Sequence, residues 1–592
     1  MKKTKKYNAG TIKRVLKLLR PDWYLLLLSL LCAAVSSVLL LLIPLLTGNA
    51  IDAIVGKGNV DFATVRQCAI KIAVCVLVTA LAQWIMNVLN NRLCYGLVYR
   101  LRKSAFETLQ SLPLSYHDSH ATGEIVSRMM TDADQFGDGL LMGFQQFFTG
   151  AITMIGTLVI MLTIKPSIAA VVILMTPLSL LAAGLIASRT YTLFKKQSEV
   201  RAEETAMIDE YIGNHKVVVA FGQEEKAQKS FDEINTKLGK CSLRAVFLSS
   251  ITNPTTRFVN NLVYAGVALT GALLCIPTGG VATFTVGKLT AFLSYANQYT
   301  KPFNEISGVL AELQNSLACA SRIFELLDEP PVPLDAPGAK MPENIHGQIT
   351  FSDVSFSYTP EQKLIRDLNL QVKPGERIAI VGPTGCGKTT LINLLMRFYD
   401  VDAGSIALDG TDIRDLPRSG LRAGFGMVLQ ETWLRNATVR ENICFGKPDA
   451  TEEEVIAAAK AVHADPFIRQ LPQGYETILG EDGGSLSQGQ KQLLCIARVM
   501  LCPPPMLILD EATSSIDTRM ELKIQSAFAK LMTGRTSFVV AHRLSTVESA
   551  DLILVMQNGD IVEQGDHKTL LKSGGFYTHL YNSQFESAPA NL

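Results

Sequence analysis

The chain has 592 residues, 48% hydrophobic and 18% charged, with 55 basic and 54 acidic side chains and a net charge of +1. Its mean hydropathy is +0.22, and its charged fraction is below the roughly 25% of an ordinary soluble protein. These values exclude a disordered chain, a disulfide mini-protein and an ordinary single-domain enzyme, and the balanced charge gives no global field for nucleic acid.

At about 100–200 residues per domain, the length predicts roughly three to five domain-sized units. The apolar excess lies in the first half. A transmembrane helix needs about 20 mostly apolar residues, and stretches 25–46, 69–89, 140–163, 167–187 and 258–276 meet that need. A sixth stretch, 286–306, includes Lys288, Lys301 and Glu305. Its polarity suits a helix lining a wet path, with an amphipathic surface segment as the alternative.

Orientation follows from the basic residues. Lys2, Lys3, Lys5, Lys6, Lys13, Arg14, Lys17 and Arg20 precede Pro21 with no acidic residue among them, which places the N-terminus in the cytoplasm. A cleaved signal peptide is the alternative, but the first apolar stretch exceeds the usual core of such a leader. Six crossings return the second half to the cytoplasm. The outward loops are short and poor in cations: 47–68 holds Lys57 and Arg66, 164–166 only Lys165, and 277–285 none. The inward connections 90–139 and 188–257 are long, charged and helical in periodicity. Helix pairs of about 25 residues would project roughly 37 Å below the bilayer; two small inserted domains are the other reading.

The 11 cysteines are scattered, with no CxxC pair, and read as free buried thiols. The proline-rich run 328–337 cannot continue a helix and marks the boundary. The expected layout is a membrane domain over 1–327, a linker over 328–346, a nucleotide-binding domain over 347–585 and a tail over 586–592.

After the linker, 348–358 alternates polar and apolar residues as a strand does. The apolar strand 377–381 runs into Gly382, Pro383, Thr384, Gly385, Cys386, Gly387, Lys388 and Thr389, with Thr390 in the helix that follows. This is the GxxxxGK[ST] phosphate loop between strand and helix. Glycines let backbone N–H groups curl around phosphate oxygens, and the helix start favours their charge. Lys388 is expected at the β- and γ-phosphates and the Thr389 hydroxyl on Mg²⁺. Residues 506–509 form a buried strand ending in Asp510 and Glu511. Asp510 suits the Mg²⁺ shell and Glu511 the polarisation of the attacking water, while His542, after the apolar strand 537–541, suits a γ-phosphate sensor.

Over 348–585 the chain resembles an ABC transporter nucleotide-binding domain. Leu486, Ser487, Gln488, Gly489 and Gln490 are similar to the family signature LSGGQ and precede an expected helix over 491–500. The resemblance implies that this helix start contacts ATP held by the opposite subunit's phosphate loop. It also assigns Tyr358 to stacking on adenine, Gln430 to Mg²⁺ and to signalling toward the membrane domain, 514–517 to the D-loop, and Glu481 to the loop before the signature. The first half resembles the bacterial ABC exporters that fuse six spans ahead of one nucleotide domain. That likeness rests on Leu112-Pro, Thr122-Gly-Glu-Ile-Val-Ser-Arg128 with Asp132, Glu210-Tyr-Ile-Gly-Asn-His-Lys-Val-Val218, Thr285-Val-Gly-Lys-Leu289 and Ser321-Arg-Ile-Phe-Glu-Leu-Leu-Asp328. It implies coupling helices in the two long inward connections. The fold class expected is an α-helical six-span membrane domain with long cytoplasmic helical extensions, followed by an α/β P-loop ATPase domain of ABC type.

One departure carries a consequence. Gln488 stands where the signature has glycine, and its side chain must turn aside for a phosphate to approach. An altered signature beside an intact Glu511 resembles one subunit of a heterodimeric exporter; a homodimer that tolerates glutamine is the alternative. The function expected is ATP- and Mg²⁺-dependent export of an amphipathic small molecule, drug or lipid across the cell membrane by alternating access. The chain would act with a second half-transporter subunit in the bilayer. Import of a small molecule such as an iron chelate is the alternative.

Overall fold

The structure, a computed structural model, describes residues 2–54, 60–276, 284–359, 364–429, 432–480, 483–484, 486–510, 518–541 and 544–585. Gln430, Glu481, Glu511, the 514–517 segment and His542 lie outside them, as does the tail 586–592. The chain divides into two units, Met1–Ser111 with His120–Pro330, and Leu112–Ser119 with Pro331–Leu592.

The first unit holds α1 (Lys2–Leu19), α2 (Trp23–Asp52) and α3 (Phe62–Ser111). The short helix α4 (Leu114–Ser119) belongs to the second unit. The first unit then continues with α5 (Thr122–Met129), α6 (Thr131–Met142), a π-helical turn at Gly143–Phe147, α7 (Phe148–Ile164), α8 (Pro166–Gly213), α9 (His215–Ala220), α10 (Glu224–Cys275) and α11 (Val286–Asp328). Pro166 opens α8 at its first turn, where no intrahelical N–H is lost. Thr285 caps α11 by accepting from the Lys288 N–H at 3.2 Å.

Four helical stretches among the described residues are long and apolar enough to cross a membrane: Gly10–Asp52, Phe62–Ser111, Thr122–Ile164 and Arg257–Cys275. The expected spans 167–187 and 286–306 fall on α8 and α11. The second of these carries Lys288 and Lys301, which lower its hydropathy. The inward connections are continuations of the span helices: α3 has 50 residues, α8 has 48 and α10 has 52. A 50-residue helix is roughly 75 Å long. No inserted domain interrupts them among the described residues. The segments quoted from the two ends of this unit meet where Arg322 donates to both oxygens of Asp132, at 2.7 and 2.5 Å.

Residues 112–119, inside the stretch expected as membrane domain, make their contacts with the nucleotide half. The reason is local: Leu112 and Tyr116 are buried, and the Tyr399 hydroxyl donates to Asp118. The second unit continues with β1 (Ile349–Phe356), β2 (Ile365–Val372), β3 (Arg377–Val381), α12 (Lys388–Leu395), β4 (Ala403–Leu408), β5 (Thr411–Asp412), α13 (Arg418–Ala423) and β6 (Phe425–Val428). Helices α14 (Val439–Ile443), α15 (Glu452–Ala461), α16 (Asp465–Ile468) and α17 (Gln488–Leu501) follow. The last elements are β7 (Met506–Asp510), α18 (Thr518–Met532), β8 (Thr536–Val540), α19 (Leu544–Glu548), β9 (Leu552–Gln557), β10 (Asp560–Gly565), α20 (His567–Ser573) and α21 (Phe576–Phe585).

A four-stranded antiparallel sheet has the order β2-β1-β4-β5, and a six-stranded sheet the order β10-β9-β3-β8-β7-β6. In the larger sheet β9, β3, β8, β7 and β6 run parallel and β10 closes one edge antiparallel. Its central strands are mostly apolar and, apart from Arg377 and Asp510 at their ends, buried on both faces, as a helix-covered parallel sheet requires. The linker is docked on this unit. Arg418 donates to the Pro333 carbonyl at 2.7 Å and to Asp400 at 3.1 Å, and Met341 and Ile345 pack on the core.

Candidate nucleotide-binding site

The carboxyl ends of β3, β8 and β7 lie side by side. Ile380 pairs with Val540, and Val540 with Asp510, so Asp510 stands two strand spacings from the loop that leaves β3, roughly 10 Å. A crevice at that end of a parallel sheet is the usual ligand position in open α/β folds.

The loop itself is shaped by glycine. Gly382 has φ +154, and a Cβ there would come within 2.2 Å of the Met556 carbonyl oxygen and 2.8 Å of Cys386 Sγ. No other residue fits. Gly387, at φ +104, caps α12 in the left-handed region, where side chains are strained. The Cys386 side chain is buried in the hydrophobic core, so only its backbone faces outward from the loop. Lys388 Nζ donates to the carbonyls of Gly382 at 2.8 Å and Pro383 at 3.0 Å. The ammonium is thus held inside the loop, where phosphate charge would be met.

Above the loop is a cavity of about 450 Å³ lined by Tyr358, Thr384, Lys388, Thr389, Asp510 and Val540 among others. Tyr358 is held edge-on against Phe356 and Tyr399, with ring centroids 4.9 and 5.0 Å away, and its hydroxyl accepts from Asn393 at 3.1 Å. That support leaves the ring half exposed, as a stacking platform for a base requires. Burial, helped by the hydrogen bond to Asp118, pushes the Tyr399 phenol well above its ordinary range. Asn393 and Tyr399 escaped the sequence reading because their role is to brace Tyr358, and no spacing marks a brace. The exposed Thr389 hydroxyl and the Asp510 carboxylate on one cavity are a hard-oxygen donor set that suits Mg²⁺.

Ser487 to Gln490 do not line this cavity among its described residues. Helix α17 begins at Gln488, three residues before the expected Lys491. The reason is a capping box: Ser487 Oγ accepts from the Gln490 N–H at 3.3 Å, and Gln490 Oε1 accepts from the Ser487 N–H at 2.8 Å. Gly489 is buried, and the exposed Gln488 side chain is turned onto Thr432.

Residues 26–303 match the family model of the ABC transporter transmembrane region, and 365–514 that of the ABC transporter. The fatty acid ABC transporter ATP-binding/permease protein of Mycobacterium tuberculosis is 42% identical over 529 residues, covering 89% of this chain and 83% of that protein. The chain belongs to the ABC transporters. The ATP-dependent lipid A-core flippase of Chromobacterium violaceum is 35% identical over 597 residues, covering 100% of each chain. Among solved structures, a bacterial Atm1-family ABC exporter with ATP bound matches with a TM-score of 0.78 and 28% identity, over 97% of this chain and 99% of that one. This ABC transporter is therefore an exporter-type half-transporter with fused membrane and nucleotide-binding domains. It hydrolyses ATP in step with transport and is a multi-pass protein of the cell membrane, with its nucleotide domain in the cytoplasm. Half-transporters of this type function as dimers.

Proposed function

We propose that the chain exports an amphipathic small molecule, drug or lipid by alternating access, as one half of a heterodimeric transporter. The observation that carries the reading is the named cargo of its relatives, a fatty acid and a lipid A-core, both amphipathic. Heterodimer assembly is supported by Gln488 in place of the signature glycine beside an intact Glu511.

In this reading Tyr358 stacks on adenine, while the backbone of 382–390 with Lys388 holds the phosphates. Thr389, Gln430 and Asp510 hold Mg²⁺. When bound, the metal would neutralise charge developing between the β- and γ-phosphates. Glu511 accepts the proton of the attacking water and His542 orients it. Ser487, Gln488, Gly489 and Gln490 face the nucleotide held by the partner subunit. ATP closes the two nucleotide domains, and coupling helices in the inward connections pass closure to the spans. Driving a two-state equilibrium from 1:99 to 99:1 takes about 5.5 kcal/mol of differential binding, which two composite ATP sites are placed to supply.

The test is ATP-driven flux of a fluorescent lipid or fatty acid in oriented vesicles bearing the assembled transporter. Movement away from the nucleotide-domain side is expected, and movement toward it overturns export. Glu511→Gln should abolish hydrolysis while ATP binding persists.

A further inference from the structure

The two helices α2 and α11 present opposite faces to their surroundings. On α2 the exposed positions from 27 to 42 are apolar, among them Leu27, Leu31 and Val38, while Ser29, Ala33, Ser36 and Ser37 are buried. This is the pattern of a helix whose outer face meets lipid. On α11 the pattern reverses. Ala291, Phe292, Tyr295, Ala296 and Tyr299 are buried, and on the other face Asn297 and Lys301 are exposed while Thr290, Leu293, Ser294 and Gln298 are half-buried. Those positions follow helical spacing, and five of the six are polar.

Such a face is costly against hydrocarbon. It must meet water, cargo or the partner subunit. The α11 span begins at Val286, so Lys301 lies roughly 22 Å along the helix axis, in the inner part of a hydrocarbon core about 30 Å thick. Lys301 is exposed and makes no ion pair with another described residue. One turn before it, Asn297 is exposed too, and Gln298 Oε1 is buried without a hydrogen-bond partner among the described residues. An ammonium with no ion pair among the described residues, beside the exposed Asn297 amide whose N–H groups can donate, is a recognition set for an anionic headgroup.

We infer that Lys301, with Asn297, selects cargo that carries an anionic headgroup, a carboxylate or phosphate, on an apolar chain. The inference rests on the amphiphile reading above and narrows it. Charge complementarity sets the head at Lys301, and the apolar tail is free to follow the hydrocarbon.

The test uses the assembled transporter with its partner subunit in nanodiscs of phosphatidylcholine, so that the bilayer supplies no net anion. ATPase stimulation is titrated with oleate, lysophosphatidate, oleyl alcohol and monoolein. At least one anionic amphiphile should act at about tenfold lower concentration than its neutral counterpart, in line with hydrogen bonds to charged groups. Stimulation by oleate alone assigns a carboxylate, and stimulation by lysophosphatidate alone a phosphate; either upholds the inference. Lys301→Gln should erase the preference and Lys301→Arg keep it. Asn297→Asp, which sets a carboxylate one turn away on the same face, should weaken it and serves if Lys301→Gln fails to assemble. Equal stimulation by neutral and anionic amphiphiles, or a preference kept in Lys301→Gln, overturns the inference and leaves amphiphile export standing. Rescue of Lys301→Gln by Glu305→Gln overturns it too, since the lysine would then serve only to balance the carboxylate one turn on. If no amphiphile of either charge stimulates, the amphiphile reading itself fails.

Discussion

Gln488 Nε2 donates to Thr432 Oγ1 across 3.2 Å, tying the first residue of α17 to the loop that follows β6. The side chain that replaces the signature glycine is thereby parked against a segment two residues beyond Gln430. The capping box between Ser487 and Gln490 fixes the same helix start from the other side. A phosphate arriving from a partner subunit would meet a helix start that carries this tethered side chain in place of a glycine.

Gln488→Gly releases that tether and opens the helix start. Turnover at the site formed with the partner's phosphate loop should rise severalfold, read in an assembly where Glu511→Gln silences this chain's own site. Thr432→Val breaks only the tether and should give no gain. An exposed neutral hydrogen bond is worth about 0.5–1.5 kcal/mol, so melting temperature should barely move. Unchanged turnover in Gln488→Gly would favour the homodimer.

Lys388 bonds the Gly382 and Pro383 carbonyls and must trade them for phosphate oxygens. Hydrogen bonds to charged groups contribute about 1.5–3 kcal/mol, so Lys388→Ala should weaken ATP binding by about 10- to 100-fold in calorimetric titration. Lys388→Arg should not restore it, because a planar guanidinium does not fit a loop shaped for a point charge.

Gly382→Ala should cost more than any other single methyl added to the loop. The added Cβ meets the Met556 carbonyl at 2.2 Å, in a backbone conformation that alanine disfavours. Strain of that kind costs about 1–3 kcal/mol, visible as a lower melting temperature of the nucleotide domain before any loss of nucleotide affinity.

Strand β3 and its loop were legible because a buried apolar run, glycine spacing and a helix start coincide in sequence. The residues that brace Tyr358 were not: Asn393 and Tyr399 act through space, on a partner 35 and 41 positions away. The early start of α17 was missed for a chemical reason. Gln490 was weighed as a phosphate contact, and its second use, accepting from the Ser487 N–H, depends on a turn closing locally. The packing of 112–119 was not legible either, because chain order does not show the Asp118 bond to Tyr399 that joins this stretch to the nucleotide half.

Tyr399→Phe keeps the edge-on packing against Tyr358 and Phe356 and deletes only the bond to Asp118. Base stacking should persist, so ATP affinity should change less than about threefold, under the 1.4 kcal/mol of a tenfold shift. Helix α4 should loosen instead. Hydrogen exchange over 112–119 should rise while exchange in β3 stays constant. An unchanged profile over 112–119 would show that Leu112 and Tyr116 burial alone holds the helix.

Asp465 gives the nucleotide domain an acid limit. Burial alone would raise its carboxyl, but the Tyr475 hydroxyl at 2.8 Å and Arg469 Nε at 2.8 and 2.9 Å outweigh burial and hold it below the ordinary range. An unfolded Asp titrates near about 3.9. Because the folded value is the lower one, the carboxylate adds stability above that pH, and the contribution is lost as pH falls through the folded value. Asp412 and Glu454 are also held low, Asp412 by Arg414 against the opposing effect of burial, Glu454 first by Lys447, so the wild-type acid limb is a sum. Asp465→Asn isolates one part of it. The variant should melt lower than wild type near neutral pH, and the gap should close as pH falls below about 4. A gap that stays constant with pH would mean that Asp465 stabilises α16 through neutral hydrogen bonding rather than through its charge.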